Sequence, residues 1–414
     1  MRVSNLFTKT SKTAPADEVA KNAQLLIRAG FIHKEMAGVY AYLPLGLRVL
    51  ENIKTIVREE MNAIGGQEVM MTALQPRDIF EKTDRWDDAK VDNWFKTKLA
   101  NGTELGLGLT HEEPIVDALS PYVNSYKDLP IYAYQIQNKF RNELRAKSGL
   151  LRGREFVMKD MYSMARSQEE HQELYERAAE AYHRVYDRLG IGDITYRTAA
   201  DGGIFTERFS DEFQTLSDIG EDTIYVDEEK RLAINEEVYT DENLAKLGLD
   251  KSKLVEKKGV EVGNIFPLET KYTDALDVYY ADESGTKRQI IMGCYGIGIS
   301  RLMGVVAEHF SDDKGLVWPE NIAPFKVYLI SIGDNGKSQA DVLYDQLVAK
   351  GIEVLYDDRD ERPGAKFADA ELMGIPYRVT VSDRLIAEEK YEFTTRQGGE
   401  TKLLTHAELL DTLG

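Results

Sequence analysis

Phe140-Arg141-Asn142-Glu143, then Arg152-Gly153-Arg154-Glu155-Phe156 after a short loop, and far downstream Gly293-Cys294-Tyr295-Gly296-Ile297-Gly298-Ile299-Ser300-Arg301 are the stretches whose reading decides the fold. Arg-x-Glu followed by an arginine-rich loop offers forked donors to phosphate oxygens and an acceptor for the edge of a base. A structural ion pair between Arg141 and Glu143 is the competing reading. The glycine-rich stretch reads as a strand running into a helix, with room for a nucleotide against its backbone.

Around these stretches, strand-like runs recur at 104–109, 131–139, 155–163, 222–226 and 289–293. Hairpins or loops join most of them, which points to an antiparallel sheet with helices, not a doubly wound parallel one. Residues 17–30 read as a helix. A second helix spans about 45–64, where Val49, Leu50, Ile53, Ile56, Val57, Met61 and Ile64 keep the helical spacing and Gly65-Gly66 stops it. A strand over 67–74 follows, ending near Pro76. Residues 227–260 are rich in Lys and Glu and read as a small surface insertion. From Lys326 strand and helix alternate (327–332, 339–350, 353–356, 367–373, 378–381), which marks a separate α/β domain of about 90 residues. The expected division is therefore 1–226 and 261–325 as the two parts of one α+β domain, 227–260 as the insertion, and 326–414 as the last domain.

The 414 residues carry one cysteine, so the fold needs no oxidising compartment. No apolar run approaches the roughly 18 residues of a membrane span, and the start has no signal-peptide core. A cytoplasmic protein with no membrane association is expected. The formal net charge of −19 argues against nucleic-acid binding over the whole surface. Basic residues nonetheless cluster at Lys139, Arg141, Arg145, Lys147, Arg152, Arg154 and Lys159, which allows an acidic body with a basic cleft.

Three motifs fail on inspection. Ile332–Ser338 looks like a phosphate loop, but Ser331 stands where the first glycine belongs. His111-Glu112 lacks the second histidine of a zinc-protease helix, since Ile115 holds that position. Gly296-x-Gly298 is no dinucleotide fingerprint, because Arg301 replaces the third glycine. No metal site built from protein ligands is expected.

The two opening segments resemble motifs 2 and 3 of class II aminoacyl-tRNA synthetases, and the 45–76 helix–strand unit resembles motif 1. Leu109-Thr110-His111-Glu112-Glu113-Pro114 looks like the Thr-x-Glu loop of class IIa members. Further matches are AGVYAYLPLGLRVLENI, KDMYSM, Asp211-Glu212-Phe213-Gln214, GNIFPLETKYTDA, MGCYGIGISRLM, GLVWPENIAPFKV and YDDRDERPGAKFADAELMGIP. Over nearly the whole chain except 227–260 the sequence is similar to bacterial-type prolyl-tRNA synthetases.

The resemblance implies a class II catalytic domain, a C-terminal anticodon-binding domain and a homodimer through motif 1. It implies ATP and Mg2+, with L-proline and tRNA(Pro) as the other substrates. Arg141 would hold the α-phosphate and Arg152 the outer phosphates. Phe156 and Arg301 would sandwich adenine, Glu143 would accept from its edge, and Gln214 would join the ATP site. Arg141 and Arg301 would carry the catalysis. Thr110, Glu112, Arg141 and Cys294 would bind proline, the first two at its amino nitrogen. Arg359, Arg362 and Lys366 would meet the anticodon, with ion pairs to Asp357, Asp358, Asp360 and Glu361 as the competing reading.

Three departures stand out. About 35 residues replace the large editing domain of that family, so no editing in cis is expected and a separate editing protein becomes a partner to consider. Asp211 and Asn264 stand where the family often has histidine. A non-catalytic paralogue that binds an amino acid or tRNA is the rival from another class, and another class IIa specificity is the third. The complete set Arg141, Glu143, Arg152 and Arg301 argues against the first. Cys294 alone cannot make the zinc site that a threonine enzyme wants.

Overall fold

The computed structural model describes every residue except Arg145, Lys147, Ile204 and Glu207. Two of these belong to the basic cluster read from the sequence and so lie outside the described residues. The chain divides into two compact units: residues 1–36, 40–53 and 306–414 form one, and residues 37–39 and 54–305 the other.

The second unit is built on a nine-stranded sheet. Its order is Ser210–Leu216, Thr195–Ala200, Leu232–Asn235, Asp222–Asp227, Val255–Glu269, Ile291–Gly298, Glu155–Ala165, Ile131–Phe140 and Gln67–Glu68. All of the pairings are antiparallel except Leu232–Asn235 with Thr195–Ala200 and Gln67–Glu68 with Ile131–Phe140. The antiparallel, α+β expectation holds. One face is covered by the helix Gln168–Arg188, which buries Leu174, Ala178, Ala181, Tyr182 and Val185 and opens on a Ser167 cap and two acidic residues.

The expected strand 67–74 is broken in two. Gln67–Glu68 joins the large sheet, whereas Leu74–Pro76 pairs with Glu104–Leu107 in a three-stranded sheet. Residues 227–260 are not a free surface insertion. Leu232–Asn235 is an interior strand of the main sheet, Ile234, Val238, Leu244 and Leu249 pack on Ala199, and the boundary at 260/261 falls inside the continuous strand Val255–Glu269.

The first unit holds the sheet Val354–Asp357, Val327–Ile332, Tyr377–Ser382, Tyr391–Thr395 and Thr401–Leu404, parallel over its first three strands. The 326–414 segment has its own core and also takes partners from the start of the chain. The Met1 ammonium donates to Tyr344 Oη and the Val354 carbonyl, each at 2.8 Å. Arg2 bridges to Tyr356 as a further parallel partner and pairs with Asp341 at 2.7 Å. Thr10 reaches Asp369 at 2.6 Å. A chain cut after Ile332 would thus strip the partners from its own N-terminal segment. In the phosphate-loop lookalike the Gly336 amide donates to the Asp383 carboxylate at 2.8 Å.

Candidate active site

Side chains alternate along Glu155–Ala165. Phe156 and Met158 therefore face a cleft of about 250 Å³, while Lys159 turns to the opposite face. The cleft is lined by residues from both opening segments, including Arg141, Glu143, Arg152, Phe156 and Arg301, together with Asp222 and Glu261. Gly296 lies close behind it: a Cβ there would lie 2.5 Å from the Met158 methyl and 2.6 Å from the Asn264 amide oxygen, so those side-chain ends would have to shift.

The Arg141 guanidinium has no hydrogen-bonded or ionic partner among the described residues. It lies over the Phe156 ring, 5.2 Å from the centroid. Burial and the neighbouring Arg301 charge both pull its pKa below the usual value. No Arg141–Glu143 pair is present among the described residues; Glu143 is held by Arg152 at 2.9 Å. Arg152 also holds Glu221 at 2.7 Å. Arg301 donates to the Leu151 carbonyl at 2.8 Å and pairs with Glu261 at 3.1 Å.

Gln214 does not line the cleft. It is buried, and its amide nitrogen donates to Glu212 at 2.9 Å and Asp222 at 2.8 Å, while its Oε1 has no partner among the described residues. Those carboxylates crowd Glu261. Burial, then Glu261, push the Glu212 carboxyl up to about 8, and the same causes raise Asp222.

The basic cluster is smaller than the sequence implies. Lys139 is buried, donating to His111 Nδ1 at 2.6 Å and to Asp160 at 2.9 Å. Lys159 is buried against Tyr182 Oη and the Tyr295 carbonyl, and burial pushes its pKa down to about 7. Arg154 is spent on the Glu143 and Ala37 carbonyls. Of the described cluster members only Arg141 and Arg152 have side chains that line the cleft.

The Thr110 loop leads from the three-stranded sheet into the helix Glu112–Leu119, whose first turn carries Glu112 and Glu113. The Phe140 amide donates to the Gly108 carbonyl at 2.9 Å, which ties this loop to the strand ending at Arg141. Thr110 and Glu112 meet at 2.6 Å, and the Cys294 thiol reaches Glu112 at 3.4 Å. Of the sequence-read set Thr110, Glu112, Arg141 and Cys294, the structure brings Thr110, Glu112 and Cys294 into one buried polar group, whereas Arg141 lines the cleft. Sequence reasoning passed over Arg85, which is buried and donates to Glu112 at 3.0 Å and Glu113 at 3.1 Å. No motif marks it. His111 is held neutral: burial and Lys139 push its pKa to about 4, and Nε2 faces the Thr72 carbonyl at 3.0 Å.

In the other unit, Arg359 is paired with Asp357 at 2.6 Å and Asp369 at 2.7 Å, and Lys366 is buried against the Ser331 and Asp357 carbonyls. The ion-pair reading holds for Arg359, and Lys366 is bound to backbone. Arg362 is exposed with no ion pair among the described residues. So is Arg384, missed in the sequence, beside a hollow of about 370 Å³ that Phe367 also lines.

The sheet, the arginine-lined cleft and the glycine-rich strand define a class II aminoacyl-tRNA synthetase core. Residues 95–310 match the family "tRNA synthetase class II core domain (G, H, P, S and T)", and residues 326–414 match "Anticodon binding domain". A proline–tRNA ligase of Anaplasma marginale is 37% identical over 422 residues, covering 98% of each chain. One of Hyphomonas neptunium is 38% identical over 428 residues, covering 97% of this chain and 96% of the relative. The chain belongs to the proline–tRNA ligase family. A Geobacillus relative, 34% identical, aligns over 566 positions and covers 100% of this chain and 99% of its own. That length against 414 residues shows a block absent here. The structure of a Giardia lamblia prolyl-tRNA synthetase in complex with prolyl-adenylate shares the fold, with a TM-score of 0.76 at 19% identity, over 93% of this chain and 74% of that one.

Proposed function

We infer that this chain activates L-proline with ATP and transfers it to tRNA(Pro). The observation that carries the reading is the unpartnered Arg141 guanidinium over Phe156 in the cleft, one strand-end away from the Thr110–Glu112 acceptor group. A proline carboxylate oxygen attacks the α-phosphorus, the bond to the β-phosphate breaks, and pyrophosphate leaves. Arg141 meets the charge that builds on the α-phosphate. Glu112 and Thr110 receive the amino nitrogen, and Phe156 and Arg301 flank the base. Glu143 and Arg152 complete the site once their mutual pair opens.

Among the described residues no group of three or more side chains forms a metal site. Mg2+ would enter as a companion of ATP, with Asp222 and Glu261 in the cleft lining as the residues that would hold it beside the phosphates. There it would offset phosphate charge. The crowding that raises Glu212 and Asp222 is what a cation relieves. Residues 326–414 serve the tRNA, with Arg362 and Arg384 as the cations free to meet a polyanion. Charging of tRNA(Pro) with labelled proline tests this reading. Charging with another amino acid in its place would refute it.

The chain is a homodimer through the 45–76 unit, where Met70 and Leu74 are exposed. Light scattering at micromolar concentration should give twice the chain mass, and a monomer would contradict it.

Fidelity follows from size. Alanine is smaller than proline by about two carbon groups, so the pocket cannot exclude it. Each missing methylene is worth about 1–3 kcal/mol, which caps selectivity at roughly 2–6 kcal/mol. With 227–260 spent on the main sheet, no editing pocket remains in that segment. The enzyme should form some alanyl-tRNA(Pro) and leave preformed alanyl-tRNA(Pro) intact, so that a separate editing protein would clear it. Deacylation well above the spontaneous rate would refute this.

A further inference from the structure

One face of the main sheet carries both halves of the site. Phe156, Met158, Asp160 and Tyr162 alternate along Glu155–Ala165 and so share a face. Lys139 stands opposite Phe156 in the neighbouring strand, and Cys294 opposite Tyr162, so both join that face. Asp160 and Lys139 therefore lie between the arginine cleft, lined by Phe156 and Met158, and the Thr110–Glu112–Cys294 group.

Four residues close a hydrogen-bonded ring there. Lys139 Nζ donates to Asp160 Oδ2 at 2.9 Å and to His111 Nδ1 at 2.6 Å. The Tyr162 hydroxyl donates to Asp160 Oδ2 at 2.8 Å and accepts the His111 amide at 3.1 Å. All four residues are buried. The Thr72 carbonyl fixes the direction of the Lys139–His111 bond. It lies 3.0 Å from His111 Nε2 and can only accept, so Nε2 carries the proton and Nδ1 is the bare nitrogen that receives Lys139.

His111 sits between Thr110 and Glu112, and Lys139 stands two residues before Arg141. The other ties on the loop stop short of this link. The Phe140 amide reaches only Gly108, at 2.9 Å, and Gln75 holds Leu109 and Thr110 from the three-stranded sheet. The Glu112 charge acts on both Lys139 and Arg141, so the two halves are close.

We propose that the Lys139–His111 bond is the strut that sets the amine-binding pair Thr110 and Glu112 against the phosphate-binding Arg141, which makes His111 and Lys139 positioning residues for adenylate formation. The inference rests on the proposed activation of proline. The amine anchors the attacking carboxylate from one side, and Arg141 anchors the α-phosphate from the other. Neither substrate is bound through the strut. Loosening it shifts one reactant against the other, and a misplacement of about 1 Å costs about a hundredfold in rate. That loss falls on kcat and spares the KM of each substrate.

Two near-isosteres separate this role from packing. Asparagine puts an amide oxygen where Nδ1 stands and keeps an acceptor for Lys139. Glutamine reaches the Nε2 position, keeps a donor for Thr72 and leaves Lys139 without its acceptor. The test is proline-dependent ATP–pyrophosphate exchange by wild type, His111→Asn and His111→Gln, with folding checked by circular dichroism. His111→Gln should lose about a hundredfold in kcat with both KM values within about threefold of wild type, and His111→Asn should lose less than about tenfold. Equal losses in the two variants, or a change confined to the KM for proline, would overturn the proposal. So would wild-type kcat in folded His111→Gln. If His111→Gln does not fold, His111→Asn decides: a loss of about a hundredfold in a folded protein that keeps the acceptor contradicts the strut, and a smaller one supports it. These outcomes in an active enzyme defeat this inference alone. A wild type without proline-dependent exchange would defeat the proposed function as well.

Discussion

Arg141→Ala should lower proline-dependent ATP–pyrophosphate exchange by on the order of a thousandfold while the protein stays folded. A preorganised donor aimed at developing charge is worth about 2.7–4 kcal/mol in the transition state. Arg141 has the marks of one. Its guanidinium lies over Phe156 and makes no ion pair among the described residues. The adjacent Arg301 makes the ligand-free state electrostatically unfavourable. Alanine orphans no buried carboxylate, since Glu143 belongs to Arg152, so stability should hold or rise. Arg141→Lys keeps charge and loses the fork, and should recover only part of the rate. A folded Arg141→Ala variant with wild-type exchange would take Arg141 out of the site.

Glu112→Gln should raise the KM for proline about a hundredfold or more and leave the KM for ATP nearly unchanged. Truncating one partner of a buried charge pair costs about 2–5 kcal/mol. Glutamine keeps the shape but cannot accept from Thr110, Cys294, Arg85 and an ammonium together. Folding should survive, because Arg85 retains Glu113. ATP binding should be spared, because Glu112 does not line the arginine cleft proposed for the nucleotide. Equal losses for both substrates would mean that Glu112 is structural.

The chain shows plainly in its sequence where one local rule governs. The 45–64 helix is found at Pro44–Ala63 because its aliphatic residues keep a 3.6 period. The opening segments lie side by side because the Gly-rich strand pairs with Glu155–Ala165 over Ile291–Gly298. The helix Gln168–Arg188 escaped notice because its buried face is built mostly of Tyr and Ala among many charges. Partnership across sequence is harder. Lys139 and Lys159 look like cleft cations, yet Asp160, His111 and Tyr182 take them inside. Arg359 looks like an anticodon reader, yet Asp369, ten residues on, holds it. Arg85 carries no motif, and only the fold shows that it stands behind Glu112 and Glu113. The strand at 67–74 failed for a related reason, since one run of residues feeds two sheets.

The central claim is that the Thr110–Glu112 group and the arginine cleft together activate proline. ATP–pyrophosphate exchange by the purified protein, with each of the twenty amino acids in turn, tests it most directly. Proline should stimulate exchange strongly, alanine weakly, and threonine and glycine not at all. Exchange driven by threonine or glycine with none from proline, or no exchange with any amino acid, would contradict it.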